Sequence, residues 1–251
     1  MDTWIDMAHE VRRISRHDTV LFLTDNAVGA AEEENLRHLA ANLAGEIRPE
    51  QVVPFLTSKH SLEYCVLYAA RAAAQGYRAL TVLGGDRRGA PRCVTHAYEL
   101  RQTLATRVPG LALGGWANPH RDSVRQVDYL LDGAFTASFY LTQIVSHYDL
   151  PAVERFVAEA NRRGVTMPGV FGVFLYRSAN PRTLERLAEF LPVPAEGLAR
   201  DFAAGRSAEA ICADTIRGLR TIGVTRVYVS NLGVRGAAER YHKLLTELGE
   251  G

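Results

Sequence analysis

Seven short apolar or β-branched runs recur along nearly the whole chain and alternate with amphipathic segments. The runs are TVLFLT (19–24), QVVPFLT (51–57), ALTVLGG (79–85), LALGGW (111–116), SFYLTQI (138–144), GVFGVFLY (169–176) and RVYVSN (226–231). Runs of this length and composition are typical of strands that are buried on both faces. Strands that alternate with helices require a parallel sheet, so the sequence predicts an α/β fold.

The segments between the runs place apolar residues three and four positions apart, and several end in glycine, which predicts helices. They are EENLRHLAANLA (33–44), SLEYCVLYAARAAAQG (61–76), THAYELRQTLATR (95–107), VERFVAEANRRG (153–164), RTLERLAEFL (182–191) and AEAICADTIRGLRTIG (208–223). The first segment, DTWIDMAHEVRRIS, also predicts a helix, one that ought to follow a strand.

Two architectures fit this alternation, a closed (β/α)8 TIM barrel and an open doubly wound sheet. The glycine cluster GGDRRG (84–89) lacks the G-x-G-x-x-G spacing of a dinucleotide-binding turn, which favours the barrel. A barrel needs eight strands, so we expect its first strand to be missing from this sequence. No linker or low-complexity tract divides the chain, and we expect a single barrel domain over residues 1–251.

The charge balance excludes several classes of partner. Lys plus Arg number 29 against 28 for Asp plus Glu, which argues against nucleic acid and against an anionic membrane surface. The apolar runs are far shorter than the roughly 20 residues that cross a bilayer, and no signal peptide is evident, so we expect a cytoplasmic protein. The three cysteines, Cys65, Cys93 and Cys212, form no paired motif, and we expect reduced thiols and no metal.

Polar residues follow the apolar runs, at the strand ends where α/β barrels build their active sites. Asp86 lies between two glycines and two arginines, where a carboxylate either stabilises a positive charge or caps a turn. Gln143 places an amide inside an apolar run, so it needs a partner, and a ligand's heteroaromatic edge is one candidate. Asn118 precedes Pro119, which suits either a turn or a side chain aimed into the barrel mouth.

The ordered strand ends resemble those of the methylenetetrahydrofolate reductase family. The matching motifs are LTDN (23–26), PFLTS (54–58), LGGD (83–86), GGWANP (114–119), LTQIVSHYD (141–149), YRS (176–178) and LPVPAEGLARDF (191–202). They cover nearly the whole chain in the family's order.

The resemblance implies a flavin-containing barrel of one-carbon metabolism and methionine biosynthesis that reduces methylenetetrahydrofolate to methyltetrahydrofolate. It implies that Asp86 stabilises the cationic folate intermediate and that Gln143 binds the pterin ring. The other residues it implies for the folate are Thr142, Asn118, Tyr176 and Arg177. Those it implies for FAD are Thr24, Asp25, Asn26, Phe55, Thr57, Gly85, Asp86, Arg87 and Trp116.

The chain departs from the family at four points. The strand that carries the family's general-acid glutamate is expected to be missing, Phe55 replaces a histidine, and Gly84 replaces an arginine. After Gln143, IVSH (144–147) replaces the family's aromatic run. Three hypotheses about the function therefore stay open. One is a reductase that uses FAD or takes hydride directly from NADH or NADPH. The others are a non-catalytic folate- or flavin-binding barrel, and an unrelated barrel lyase or transferase. Homo-oligomerisation is a further expectation, since an unclosed barrel leaves a strand edge for a partner to cover.

Overall fold

The computed structural model describes residues 2–24, 46–84, 92–233 and 235–250. The chain divides into two compact units. The first comprises Met1–Gly115, Gly133–Phe139 and Val234–Ala238, and the second comprises Trp116–Asp132, Tyr140–Gly233 and Glu239–Gly251. The single domain predicted for residues 1–251 stays a prediction, and each unit is described by itself.

Parallel strands in chain order form the sheet of the first unit. Strand β1 (Leu21–Leu23) pairs with β2 (Val52–Thr57), which pairs with β3 (Ala79–Leu83), which pairs with β4 (Ala112–Ala117). Helices α1 (Asp2–Ile14), α2 (Leu62–Ala74) and α3 (Ala97–Arg107) supply the apolar faces that cover it. Their shared core contains Met7, Val11, Val52, Leu56, Tyr68, Leu80, Val82, Leu100 and Leu104.

The second unit repeats the same arrangement. Strand β5 (Phe139–Val145) pairs in parallel with β6 (Gly169–Phe174), and β6 pairs in parallel with β7 (Val227–Ser230). Its helices are α4 (Ser123–Leu131), α5 (Leu150–Arg162), α6 (Pro181–Ala188), α7 (Ala195–Ala203), α8 (Ala208–Thr221) and α9 (Ala237–Leu248), the last beginning in the first unit. The ring of Phe156 on α5 packs edge to face on Phe171 of β6, with centroids 6.2 Å apart.

Local sequence explains where several helices begin and end. The side chains of Ser61, Asp122 and Ser207 each accept a hydrogen bond from a backbone N–H in the first turn, which satisfies a donor that the helix itself leaves free. Gly164 and Gly223 follow α5 and α8 with φ of 72° and 85°. Glycine adopts this left-handed conformation without the steric cost that a side chain brings.

The structure confirms all seven predicted strands and their parallel pairing. Seven parallel strands that alternate with helices make an α/β fold of the TIM-barrel-like type. Closure with an eighth strand, and the absence of a first one, stay predictions. The predicted helix at 33–44 lies outside the described residues. Helices α4 and α7 were not predicted, and each is only nine residues long.

Candidate functional site

A β-bulge interrupts the pairing of β5 with β6 where the sequence reads Thr142-Gln143. Leu141 pairs with Val170 and Ile144 with Gly172, so two residues of β5 lie opposite one residue of β6. Bulges are rare between parallel strands, are frequent beside active sites, and change the direction of the side chains that follow. The irregularity therefore lies at the predicted folate-binding residues.

The Gln143 amide is half-buried, and both its ends bind backbone groups. Its Oε1 accepts a hydrogen bond from the Ile144 N–H at 2.9 Å, and its Nε2 donates to the Phe190 carbonyl at 3.1 Å. The prediction that this amide has a partner is confirmed, and the partners are protein atoms. Phe190 follows α6 and leaves 63% of its own surface exposed. Contact of Gln143 with a ligand stays a prediction.

Thr142 is fully buried, and its hydroxyl takes the place of a regular ladder bond. The hydroxyl accepts from the Gly172 N–H at 3.0 Å and donates to the Gln143 carbonyl at 2.9 Å. Its own carbonyl accepts from the Tyr228 hydroxyl at 2.7 Å. The structure thus gives Thr142 a role inside the sheet, and its predicted contact with substrate stays a prediction.

Asn118 forms a turn, one of the two options that the sequence left open. Its Oδ1 accepts from the His120 N–H at 3.0 Å, and its own N–H donates to Gln126 Oε1 at 2.8 Å. The turn places the His120 ring between two oxygen atoms, the Ile144 carbonyl at 2.8 Å and Asp149 Oδ2 at 3.1 Å. His120 therefore ties the loop after β4 to the end of β5.

Tyr176 and Arg177 follow β6 and differ sharply in exposure. Tyr176 is buried against Phe174, with ring centroids 4.8 Å apart, and burial raises the pKa of its hydroxyl. Among the described residues this hydroxyl has no hydrogen-bond partner. Arg177 is exposed, and no carboxylate pairs with it in the part of the chain that the structure describes. A cation without a partner at a strand end suits an anionic group of a ligand.

The residues implied for FAD are only partly described. Thr24 is exposed directly after β1, Thr57 is buried at the end of β2, and the Phe55 ring packs edge to face on Phe22 with centroids 6.1 Å apart. Trp116 is half-buried in β4. Asp25, Asn26, Gly85, Asp86 and Arg87 lie outside the described residues, so the roles implied for them stay predictions.

The first unit contains a cavity of about 290 Å³ lined by Asp6, His9, Glu10, Arg13, Arg235 and Gly236. Residues 2–24, 46–84, 92–233 and 235–250 contain no group of three metal-ligating side chains. Within the same ranges, no helix combines the length and apolar character needed to cross a membrane. At the start of α9, the Ala238 N–H donates to Glu10 Oε2 at 2.6 Å, so a protein carboxylate already binds there.

A half-buried histidine, His147, gives the second unit a pH dependence. His147 Nδ1 lies 2.8 Å from Thr215 Oγ1, and burial lowers the pKa of His147 despite the attraction of Asp214 and Asp201, with Arg206 acting in the same direction as burial. Because the unfolded chain binds this proton more readily, stability is present above the ordinary pKa of 6.5 and is lost as pH falls below it. We expect the melting temperature of the wild type to fall more steeply below that pH than that of His147→Gln. Equal slopes would contradict this account.

Sequence reasoning missed three contributors to this site, namely His120 as a bridge, the Phe190 carbonyl and the Tyr228 hydroxyl. Tyr228 lies 86 positions from Thr142 and Phe190 lies 47 from Gln143. A tyrosine in an apolar run predicts only a strand residue, and a backbone carbonyl carries no sequence signal.

The fold and the bulge define a TIM-barrel-like α/β protein with a polar cluster at the end of β5. No family model matches the sequence, and no curated protein matches it. A Clostridium thermocellum protein that binds two copies of 5-methyl-5,6,7,8-tetrahydrofolic acid superposes with a TM-score of 0.66 at 15% identity, over 98% of this chain and 88% of that one. The spore cortex-lytic enzyme SleL of Bacillus megaterium gives a TM-score of 0.51 at 9% identity, over 95% and 69%. At these identities the similarity shows the fold alone.

Proposed function

We infer that this protein binds a reduced folate at the end of β5, with the Gln143 amide as the contact to the pterin ring. The observation that carries this proposal is a half-buried amide on a β-bulge in a fold that resembles, over 98% of the chain, a protein that binds methyltetrahydrofolate. A primary amide presents both a donor and an acceptor, which complements the donor and acceptor edge of a pterin. The strand-end motifs of the methylenetetrahydrofolate reductase family support the same ligand class.

The chemistry of the neighbouring groups is consistent with such a ligand. The exposed guanidinium of Arg177 suits the carboxylates of a folate tail, since arginine binds carboxylates through paired hydrogen bonds. The buried Tyr176 hydroxyl has no hydrogen-bond partner among the described residues, and a buried polar group in that state costs about 1–3 kcal/mol. A ligand atom within reach would remove that cost.

The proposed activity is that of a methylenetetrahydrofolate reductase, with hydride supplied by NADH or NADPH either through FAD or directly. A bound flavin would supply hydride transfer, while the chain binds and orients the folate and stabilises its charge. In this proposal Asp86 stabilises the cationic folate. The departures at Phe55 and Gly84 from the family's flavin contacts favour direct transfer over transfer through FAD. The alternative function is a folate- or flavin-binding barrel without catalysis.

The first experiment is a calorimetric titration of the purified protein with 5-methyltetrahydrofolate, alongside a visible absorption spectrum with and without added FAD. A flavin spectrum that bleaches when the folate is added supports the flavin-dependent reductase. Folate binding without flavin, together with folate-dependent oxidation of NADH or NADPH, supports direct transfer. Folate binding with neither activity supports the non-catalytic alternative. Absence of folate binding contradicts the proposed function.

Gln143→Ala is expected to weaken 5-methyltetrahydrofolate binding by at least about tenfold, since hydrogen bonds in a partly buried site are worth about 1.5 kcal/mol. The matched control is Gln102→Ala, because the Gln102 amide also donates to a backbone carbonyl, that of Ala134 at 3.2 Å, on an exposed helix face. The control should bind like the wild type. Equal affinities for Gln143→Ala and wild type would remove Gln143 from the site.

A further inference from the structure

The bulge of β5 satisfies its backbone groups through three side chains. The Thr142 hydroxyl accepts a hydrogen bond from the Gly172 N–H and donates one to the Gln143 carbonyl, and Gln143 Oε1 accepts one from the Ile144 N–H. The Thr142 carbonyl, in contrast, takes its hydrogen bond from Tyr228 on β7. Because a buried backbone group without a partner is costly, each of these bonds helps to fix the bulge.

Tyr228 is held in place by its surroundings. Burial raises the pKa of its hydroxyl, so the group stays a hydrogen-bond donor. Gly172 makes room for the ring, since a Cβ there would lie 2.4 Å from the Tyr228 hydroxyl oxygen. A rigid ring that spans from β7 across β6 to β5 leaves the Thr142 carbonyl one direction in which to point.

That direction decides where the Gln143 amide lies. From one paired position to the next, β5 advances by three residues, from Leu141 to Ile144, while β6 advances by two, from Val170 to Gly172. The bulge thus changes the phase of side-chain alternation, and a strand that lost it would turn the residues beyond it to the opposite face. The Thr142 carbonyl belongs to the peptide group that links Thr142 to Gln143, so its orientation sets the backbone of Gln143.

We propose that Tyr228 is a positioning residue for Gln143, and that its hydrogen bond to the Thr142 carbonyl holds the bulge that sets the amide for the ligand. The part that concerns the ligand rests on the proposed function, in which Gln143 contacts a reduced folate. The part that concerns the amide itself does not depend on any ligand.

A double-mutant cycle tests the first part. Tyr228→Phe removes one hydroxyl and is expected to weaken 5-methyltetrahydrofolate binding about fivefold in the wild-type background. In the Gln143→Ala background the same change is expected to have less than about a twofold effect, because a residue that acts through Gln143 has nothing left to position. Equal losses in both backgrounds would overturn the proposal.

Nuclear magnetic resonance of the Gln143 side-chain amide tests the second part and needs no ligand. Tyr228→Phe is expected to shift the two amide protons and speed their exchange with solvent. The matched control is Tyr140→Phe, since the Tyr140 ring covers Gly169 of β6 much as Tyr228 covers Gly172. If the wild type binds no folate but the amide signals move as expected, the proposed function fails while the positioning role stands. Unchanged amide signals in Tyr228→Phe would overturn the positioning role of Tyr228.

Discussion

Replacing Arg101 by methionine is expected to lower the free energy of unfolding by about 3 kcal/mol, a large effect for one helix residue. Arg101 on α3 is 3% exposed. Its Nε donates to the Phe135 carbonyl at 2.8 Å, its Nη1 lies 3.3 Å from the Val82 carbonyl, and its guanidinium stacks 4.5 Å from the Phe135 ring centroid. Methionine fills most of the volume but leaves both carbonyls without these donors.

Methionine also removes the cost of burying the guanidinium charge, and this gain offsets only part of the loss. Burial lowers the pKa of Arg101 to about 10, which reflects the cost of removing the guanidinium from water. The matched control is Arg107→Met, because Arg107 lies on the same helix and is exposed. Urea unfolding should show a change of less than about 0.5 kcal/mol for the control. A stability of Arg101→Met equal to or above that of the wild type would mean that the burial cost outweighs the hydrogen bonds.

Replacing Gly172 by alanine is expected to destabilise the protein by about 2–3 kcal/mol, the upper part of the range that is usual for overpacking. The new Cβ would lie 2.4 Å from the Tyr228 hydroxyl oxygen and 2.5 Å from the ring carbon that bears it. The half-buried ring has to move, and its hydrogen bond to the Thr142 carbonyl is lost as it does so. The variant is therefore expected to bind folate more weakly as well.

Gly133→Ala is the matched control for this substitution. Nothing lies within 4 Å of the position that a Cβ would occupy at Gly133, so its melting temperature should stay within a degree or two of the wild type. The measurement is thermal unfolding of both variants, followed by folate titration at a temperature where each is folded. A Gly172→Ala protein as stable as the wild type would show that the ring over Gly172 has room to move.

The fold was largely predictable because it depends on a local property, the period of apolar residues. Each of the seven runs became a strand, and GVFGVFLY and SFYLTQI differ from β6 and β5 only at their ends. The helix at Ser123–Leu131 was missed for the complementary reason. It has only nine residues, and tertiary packing decides the outcome for so short a segment.

The site was predictable in its composition and not in its geometry. A polar residue in an apolar run must find partners, so Gln143 was identified from the sequence alone. Its bond to the Ile144 N–H is local to β5, but its bond to the Phe190 carbonyl forms only when the segment after α6 meets β5. Arg101 shows the opposite case, since an arginine in a helical segment predicts an exposed residue and this one is buried.

The sequence by itself determined the order of the strands, their parallel pairing and the placing of polar residues at strand ends, because these depend on spacing along the chain. Only the tertiary structure decided that Thr142 serves the bulge, that Asn118 forms a turn and that Tyr228 holds a carbonyl 86 residues away. The bonds of Thr142 to Gly172 and to Tyr228 join distant segments, and each buried polar group takes the nearest partner that folding provides.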